Sequence, residues 1–245
     1  MSEQENNVVL KVRKIVVFPN GPYLVRGGIP LVRKTQVVSE FGEPLTWKTE
    51  GFFETRENYS LCRCGKSSTY PFCDNTHRRI NFDGAEMADT HTNHERRFTY
   101  PEGEHISVSY DSYLCMNSGF CRNRLRGIEE MLPGTGDGEL RALVMAMIER
   151  CPSGSYTFSI HPGEPDIEPD YPVQIAVTTE ITSDGPIRGP LWVTGNIPIE
   201  RSDGQPFEVR NRVTLCHCGQ SLIKPLCDGT HRTMAEEEAR REKKE

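Results

Sequence analysis

Short runs of β-branched and aromatic residues recur along the chain, interrupted by Gly, Pro and Asn. This is the pattern of brief strands joined by tight turns. Lys14 to Phe18 and Val173 to Thr179 are clear examples. A longer pattern also repeats: Gly21-Pro22-Tyr23-Leu24-Val25-Arg26-Gly27-Gly28-Ile29-Pro30-Leu31 is paralleled by Gly189-Pro190-Leu191-Trp192-Val193-Thr194-Gly195-Asn196-Ile197-Pro198-Ile199. One region departs from the strand rhythm. Leu140, Leu143, Val144, Met147 and Ile148 fall at helical spacing, with Asp137 placed to cap the helix and Arg150 closing it before Cys151-Pro152. Met145 and Met147 read as core packing. The mixed-sign run Glu236 to Glu245 predicts a solvated helix.

The expected fold class is therefore α+β: two β-rich units with a small α/β domain inserted in their connection. The boundaries expected are 1–82, 83–170, 171–232 and a charged tail at 233–245. The first unit is longer than the second between its Gly-Pro pair and its first cysteine, so Thr35 to Asn58 is expected to be a loop insertion. A swapped homodimer is the alternative to pairing within one chain.

Composition narrows the class. With 245 residues, 36% of them hydrophobic, 17 prolines and 21 glycines, the chain suits two or three small domains better than one large core. Small domains of this kind need staples, and nine cysteines point to metal centres whose binding energy becomes folding energy. No apolar run approaches the roughly 20 residues of a membrane span. Met1 to Asn7 is polar and acidic, unlike a secretory signal. The expectation is a soluble, cytoplasmic protein with no membrane contact. An odd cysteine count in a reducing compartment favours thiolate ligands over disulfides. A net charge of -6 without a basic patch argues against nucleic acid as a partner.

The chemistry lies in a duplicated motif. Cys62-Arg63-Cys64 followed by Pro71-Phe72-Cys73-Asp74-Asn75-Thr76-His77 recurs as Cys216-His217-Cys218 followed by Pro225-Leu226-Cys227-Asp228-Gly229-Thr230-His231. Each copy offers three thiolates and one imidazole. Cys73 and His77, like Cys227 and His231, stand one helical turn apart, and Asp74 and Asp228 fall where that helix begins. The helix N-terminus then offers N–H groups to an anionic centre. Three thiolates and an imidazole also suit tetrahedral zinc, which stays open as the alternative.

The pattern C-x-C-x2-S-x3-P-x-C-D-x-T-H, complete in both copies, resembles the CDGSH iron–sulfur family. The resemblance implies a 2Fe-2S cluster per motif, one iron held by the two closely spaced cysteines and the other by the third cysteine and the histidine. It also implies a β-rich fold in which two motif units pair, expected here as an intrachain pseudo-dimer with approximate two-fold symmetry because both units lie in one chain. Asn75 stands where the family has glycine, and Thr76 and Thr230 where serine is commoner. Asn tolerates left-handed backbone angles, so the turn should survive. An imidazole in place of a thiolate removes a negative charge from the cluster, which raises its potential and couples it to protons. His217 is expected to be a solvated bystander, and His91, His94, His105 and His161 have no assigned role.

A third set, Cys115, Cys121 and the distant Cys151-Pro152, resembles single-cluster ferredoxins with Ser118 in place of the middle cysteine. Three thiolates imply a 3Fe-4S cluster, with 4Fe-4S as the alternative if water, Ser118 or an outside group supplies the fourth ligand. Asn117 occupies a position where a related divergent cluster family has histidine. No flavin fingerprint, Walker loop or nucleophile triad accompanies these sites, so a carrier is expected rather than an enzyme. The leading function is electron relay between redox partner proteins. The alternative is a cluster donor to apo iron–sulfur acceptors, or a redox or pH sensor, working through labile histidine ligation. An enzyme would need an open metal site, and the position beside Ser118 is the candidate.

Overall fold

The computed structural model describes residues 12–242; the polar Met1–Asn7 stretch and the last residues of the tail, 243–245, lie outside the described residues. The first unit comprises β1 (Lys14–Val17), β2 (Tyr23–Arg26), β3 (Leu31–Val38), β4 (Pro44–Phe52), β5 (Tyr59–Leu61) and the single turn α1 (Thr76–Arg79). The inserted unit carries α2 (Asn93–Arg96), β6 (Phe98–Thr99), β7 (Ser107–Tyr110), α3 (Ile128–Met131), α4 (Gly138–Arg150) and β8 (Tyr156–Ser159). The second unit follows with β9 (Gln174–Thr182), β10 (Gly185–Thr194), β11 (Ile199–Glu200), β12 (Arg212–Leu215) and α5 (Thr230–Glu242).

The two repeated units exchange strands. One sheet runs β11-β1-β2-β5 and the other β12-β10-β9-β3-β4. In each unit the strand after the Ile-Pro step crosses to the other unit's sheet and pairs there in parallel. Thus Leu31 lies opposite Ile175 and Ile199 opposite Ile15. The entry bonds match as well, with Ile175 N donating to Pro30 O and Ile15 N to Pro198 O, each at 2.9 Å. This is the pseudo-two-fold expected from the repeat, closed within one chain.

Alternation explains the shared core. Ile15 and Val17 of β1, and Tyr23 and Val25 of β2, point inward. They meet Ile175, Val177, Leu191, Val193, Val213 and Leu215 from the other unit in one apolar cluster. At about 1.5–3 kcal/mol for each such side chain removed from water, this cluster is the main force joining the units.

Three expectations change. The segment Thr35 to Asn58 is mostly the β3–β4 hairpin rather than a loop, because Thr35, Val37, Val38 and Thr46 favour strand and β9 gives β3 a ready partner. Its Trp47 packs between Trp192 of β10 and Phe120 of the inserted unit, at ring-centroid distances of 5.6 and 5.5 Å. Gly84 is still held by Asn20 and Arg63 of the first unit, but residues 86–88 pack on the second, with Met87 N and Ala88 N both donating to Lys224 O at 2.8 and 3.0 Å. The compact part of the inserted unit thus begins near Asn93. The helix of the second motif runs unbroken from Thr230 to Glu242, so no boundary separates motif from tail.

Within the inserted unit, β6, β7 and β8 form an antiparallel sheet. The α4 helix begins as expected, the Asp137 carboxylate accepting from Leu140 N at 2.8 Å. Val144, Met147 and Ile148 enter the core beside Phe158, whereas Leu143, 41% exposed, faces solvent. Leu143 adjoins Val144 in sequence, about 100° around the helix, and so leaves the buried stripe.

Where the two units meet, the backbone approach is tight. Gly65 has φ +74°, and a Cβ built there would stand 2.5 Å from Cys218 O; the equivalent Cβ on Gly219 would stand 2.9 Å from Cys64 O. Only glycine fits at either position. Gly65→Ala should cost at least ~2 kcal/mol from the positive φ and the clash. Thermal unfolding should show a melting temperature lower by about 4–8 °C for a domain of this size. An unchanged melting temperature would mean that the two loops do not touch.

Candidate metal centres

Each motif loop is built by the same local bonds. Cys62 N donates to Pro71 O and Cys216 N to Pro225 O, both at 2.8 Å. The hydroxyl of Ser67 donates to Phe72 O at 2.6 Å and that of Ser221 to Leu226 O at 2.7 Å. The motif serine and proline therefore close the loop that presents the cysteines. Asp74 accepts from Ser68 N and Thr76 N, both at 2.9 Å, and Asp228 from Leu222 N and Thr230 N at 2.8 and 3.0 Å. Those backbone donors, Ser68 first, hold the Asp74 carboxyl well below the usual carboxylate range. Asn75 has φ 66° and Gly229 φ 86°, so the departure from glycine keeps the left-handed turn.

The donors come in pairs. Cys62 Sγ and Cys64 Sγ stand 3.8 Å apart, and Cys73 Sγ lies 3.4 Å from His77 Nδ1. In the second copy the distances are 3.7 Å for Cys216 and Cys218, and 3.4 Å for Cys227 and His231 Nδ1. Ligands at tetrahedral angles on one metal, with bonds of about 2.0–2.3 Å, stand at about this separation. Among the described residues no three His, Cys, Asp or Glu side chains converge on a single-ion position. Two pairs per loop fit two metal atoms.

The third set gathers around the end of α4. Cys151 caps that helix, Cys115 follows a 3-10 turn at Ser112–Leu114, and Cys121 lies near both, close enough for their charges to act on it. Cys151 Sγ lies 3.4 and 3.5 Å from the hydroxyls of Ser153 and Ser155. Cys115 Sγ is 3.7 Å from Asn117 Oδ1. All nine cysteines are free thiols.

Residues 20–78 and 188–232 match the family described as iron-binding zinc finger, CDGSH type, and residues 101–159 match a divergent 4Fe-4S mono-cluster family. No curated protein matches the chain. The chain is a CDGSH-type iron–sulfur protein with an inserted mono-cluster unit. Among its described residues no helix is long and apolar enough to cross a membrane.

The thiols of this CDGSH-type protein suit cationic metal. Burial first, then the neighbouring Cys62, pushes Cys64 up to about 11. Burial and the charges of Cys151 and Cys115 push Cys121 up to about 11. Burial drives Cys227 upward, while the thiol of Cys218 pulls Cys216 down to about 6 at the expense of Cys218 itself. Thiolates crowded in this way are stable together only around positive charge, which iron supplies. Cys151 differs. Burial raises it, but Arg212 and the hydroxyls of Ser153 and Ser155 outweigh burial and the net shift is downward.

Arg212 was not legible as a site residue. It is fully buried on β12 and donates to Ile148 O at 2.6 Å, Glu149 O at 3.0 Å and Cys151 O at 2.9 Å, while its Nε pairs with Glu168 at 2.9 Å. It satisfies the last carbonyls of α4 and ties the third set to the strand that leads to Cys216. A charged residue opening an otherwise apolar strand was the available signal. Gln36 makes a second tie, donating to Ser118 O at 3.1 Å and accepting from Ile181 N at 3.0 Å. Nothing in the sequence marked it.

His217 corrects an expectation. It is only 4% exposed rather than solvated, with its ring 5.2 Å from that of Tyr70 and its Nε2 3.4 Å from Arg188 O. Pairing of the two motif loops covers the residue between Cys216 and Cys218. His91, His94, His105 and His161 lie outside the three donor sets.

Two predictions follow from these contacts. Arg212→Met removes the buried charged donors shared by Ile148 O, Glu149 O, Cys151 O and Glu168, each of which keeps one other partner, so it should destabilise the protein by at least ~2 kcal/mol. The inserted unit should lose its metal before the two CDGSH sites do, as measured by iron content after partial denaturation. Burial pulls the His217 pKa from 6.5 down to about 4, so the folded state holds it neutral while the unfolded chain takes up a proton. Its stabilisation is complete above pH ~6.5 and is lost as pH falls to about 4, by roughly 3 kcal/mol. Acid unfolding followed by circular dichroism should be less steep in His217→Gln over that window.

Proposed function

We propose that the protein relays electrons through three iron–sulfur clusters and is not an enzyme. Cys62, Cys64, Cys73 and His77 would hold one 2Fe-2S cluster, and Cys216, Cys218, Cys227 and His231 a second. Cys115, Cys121 and Cys151 would hold the third, a 3Fe-4S cluster on three thiolates. The match to a 4Fe-4S family favours 4Fe-4S as a second reading of that centre. When bound, such clusters supply one-electron carriers.

One observation carries the relay. The three donor loops touch in series. Gly65 and Gly219 press the first and second loops together. A Cβ on Gly229, between Cys227 and His231, would stand 2.8 Å from Met116 O and 3.0 Å from Asn117 Nδ2, so the second loop also rests on the third. This contact supports a linear order of first, second and third centres. Redox proteins at the two ends are the proposed partners, and a single-chain monomer the proposed state.

A cluster donor or acid sensor is the competing class, favoured by imidazole ligation at His77 and His231, where protons compete with iron. Two variants separate the classes. Cys227→Ala removes a donor from the middle centre and should slow electron equilibration between the first and third centres at least 100-fold, followed by freeze-quench electron paramagnetic resonance. If exchange between the end centres is unaffected, the serial relay is wrong. If replacing His77 and His231 with cysteine abolishes acid-dependent cluster loss and cluster delivery while electron exchange continues unneeded by cells, the donor reading replaces it.

A further inference from the structure

The two histidine ligands differ in what lies behind them. Glu180 of β9 is fully buried, and its Oε1 stands 3.3 Å from His231 Nε2. Neither atom has another hydrogen-bond partner. With Nδ1, which lies 3.4 Å from Cys227 Sγ, given to a metal, Nε2 would carry the proton and face that oxygen. The other carboxylate oxygen pairs with Arg232, one residue beyond the histidine. Room for Glu180 comes from Gly189 on the facing strand, where a Cβ would stand 3.0 Å from Glu180 Cγ.

The first unit has no counterpart. Aligning the hairpins by Val17 with Val177 puts Glu180 on the longer β9–β10 arm, whereas the first unit turns at once after Val17 and re-enters at Tyr23. Among the described residues no carboxylate is hydrogen-bonded to or ion-paired with His77, and the residues after it are Arg78 and Arg79. A carboxylate accepting from the distal N–H makes an imidazole a stronger donor to its metal and stabilises the more positive, oxidised state.

We propose that Glu180 is a positioning residue that sets the second histidine-ligated centre at a lower reduction potential than the first, biasing electrons toward the first. The inference rests on the relay reading and gives it a direction. One electron leaves the reduced second centre, which is oxidised, and enters the oxidised first centre, which is reduced, with no further reactant.

The test is a spectroelectrochemical titration of the anaerobic holoprotein. The two 2Fe-2S centres should titrate as separate one-electron waves differing at least tenfold in reduction equilibrium, about 59 mV. Glu180→Gln should move the lower wave up by at least that amount and leave the other in place. Coincident waves in the unmodified protein, or a Glu180→Gln protein with both waves unmoved or moved equally, would overturn the proposal. Should Glu180→Gln fail to fold with Arg232 unpaired, Glu180→Gln combined with Arg232→Gln should give the same selective shift, and its absence there counts equally against it. A colourless protein without acid-labile sulfide would instead sink the relay reading itself, so the two failures are distinguishable.

Discussion

The reciprocal exchange of β3 and β11 holds everything else in place. Each strand leaves its own unit after an Ile-Pro step and pairs in parallel with the other unit's first strand. The apolar cluster from Ile15 to Leu215 packs against the inward face of the exchanged strands and holds them there. The exchange brings the two motif loops together at Gly65 and Gly219. It also extends β3 along β9, which gives the β3–β4 hairpin its base and places Trp47 and Gln36 beneath the inserted unit. Sites that a single chain separates by more than 150 positions are in this way built by one packing event.

From that frame follows an asymmetry between the two loops. The two motif loops are near copies, with paired donors at almost equal distances. Their surroundings diverge. The second loop meets the inserted unit through Gly229 and, through β12, the Arg212 clamp on α4. The first carries Asn75 at the position of Gly229, a side chain that the left-handed turn accepts where no neighbouring loop is pressed against it. Two near-identical loops thus sit in different surroundings, and in the proposed relay the second is the middle of three.

The motif loops and the pseudo-two-fold were legible because they show in short spacings and in their repetition: Cys-x-Cys, Asp before a helical turn, Ser and Pro at fixed offsets. Ser67 and Asp74 act through partners within a few residues, so the motif reveals them. The α4 helix was legible through its cap and its period, apart from Leu143 at the edge of the buried stripe. Long-range contacts were not. Thr35 to Asn58 looked like a loop because its strand partner β9 lies about 140 residues away. His217 looked solvated because the groups that bury it, Tyr70 of the other unit and Arg188 some 30 residues back, lie far from it in sequence. Arg212 and Gln36 act at separations of roughly 60–145 residues, beyond any local pattern.

The account depends on three clusters in magnetic contact through touching loops, and pulsed electron paramagnetic resonance on the fully reduced, oxygen-protected protein measures this directly. The predicted result is a middle centre whose signal is broadened and relaxation-enhanced by both neighbours, with each end centre coupled to it alone. Unperturbed 2Fe-2S signals, or a diamagnetic protein holding zinc in place of iron and sulfide, would contradict the account.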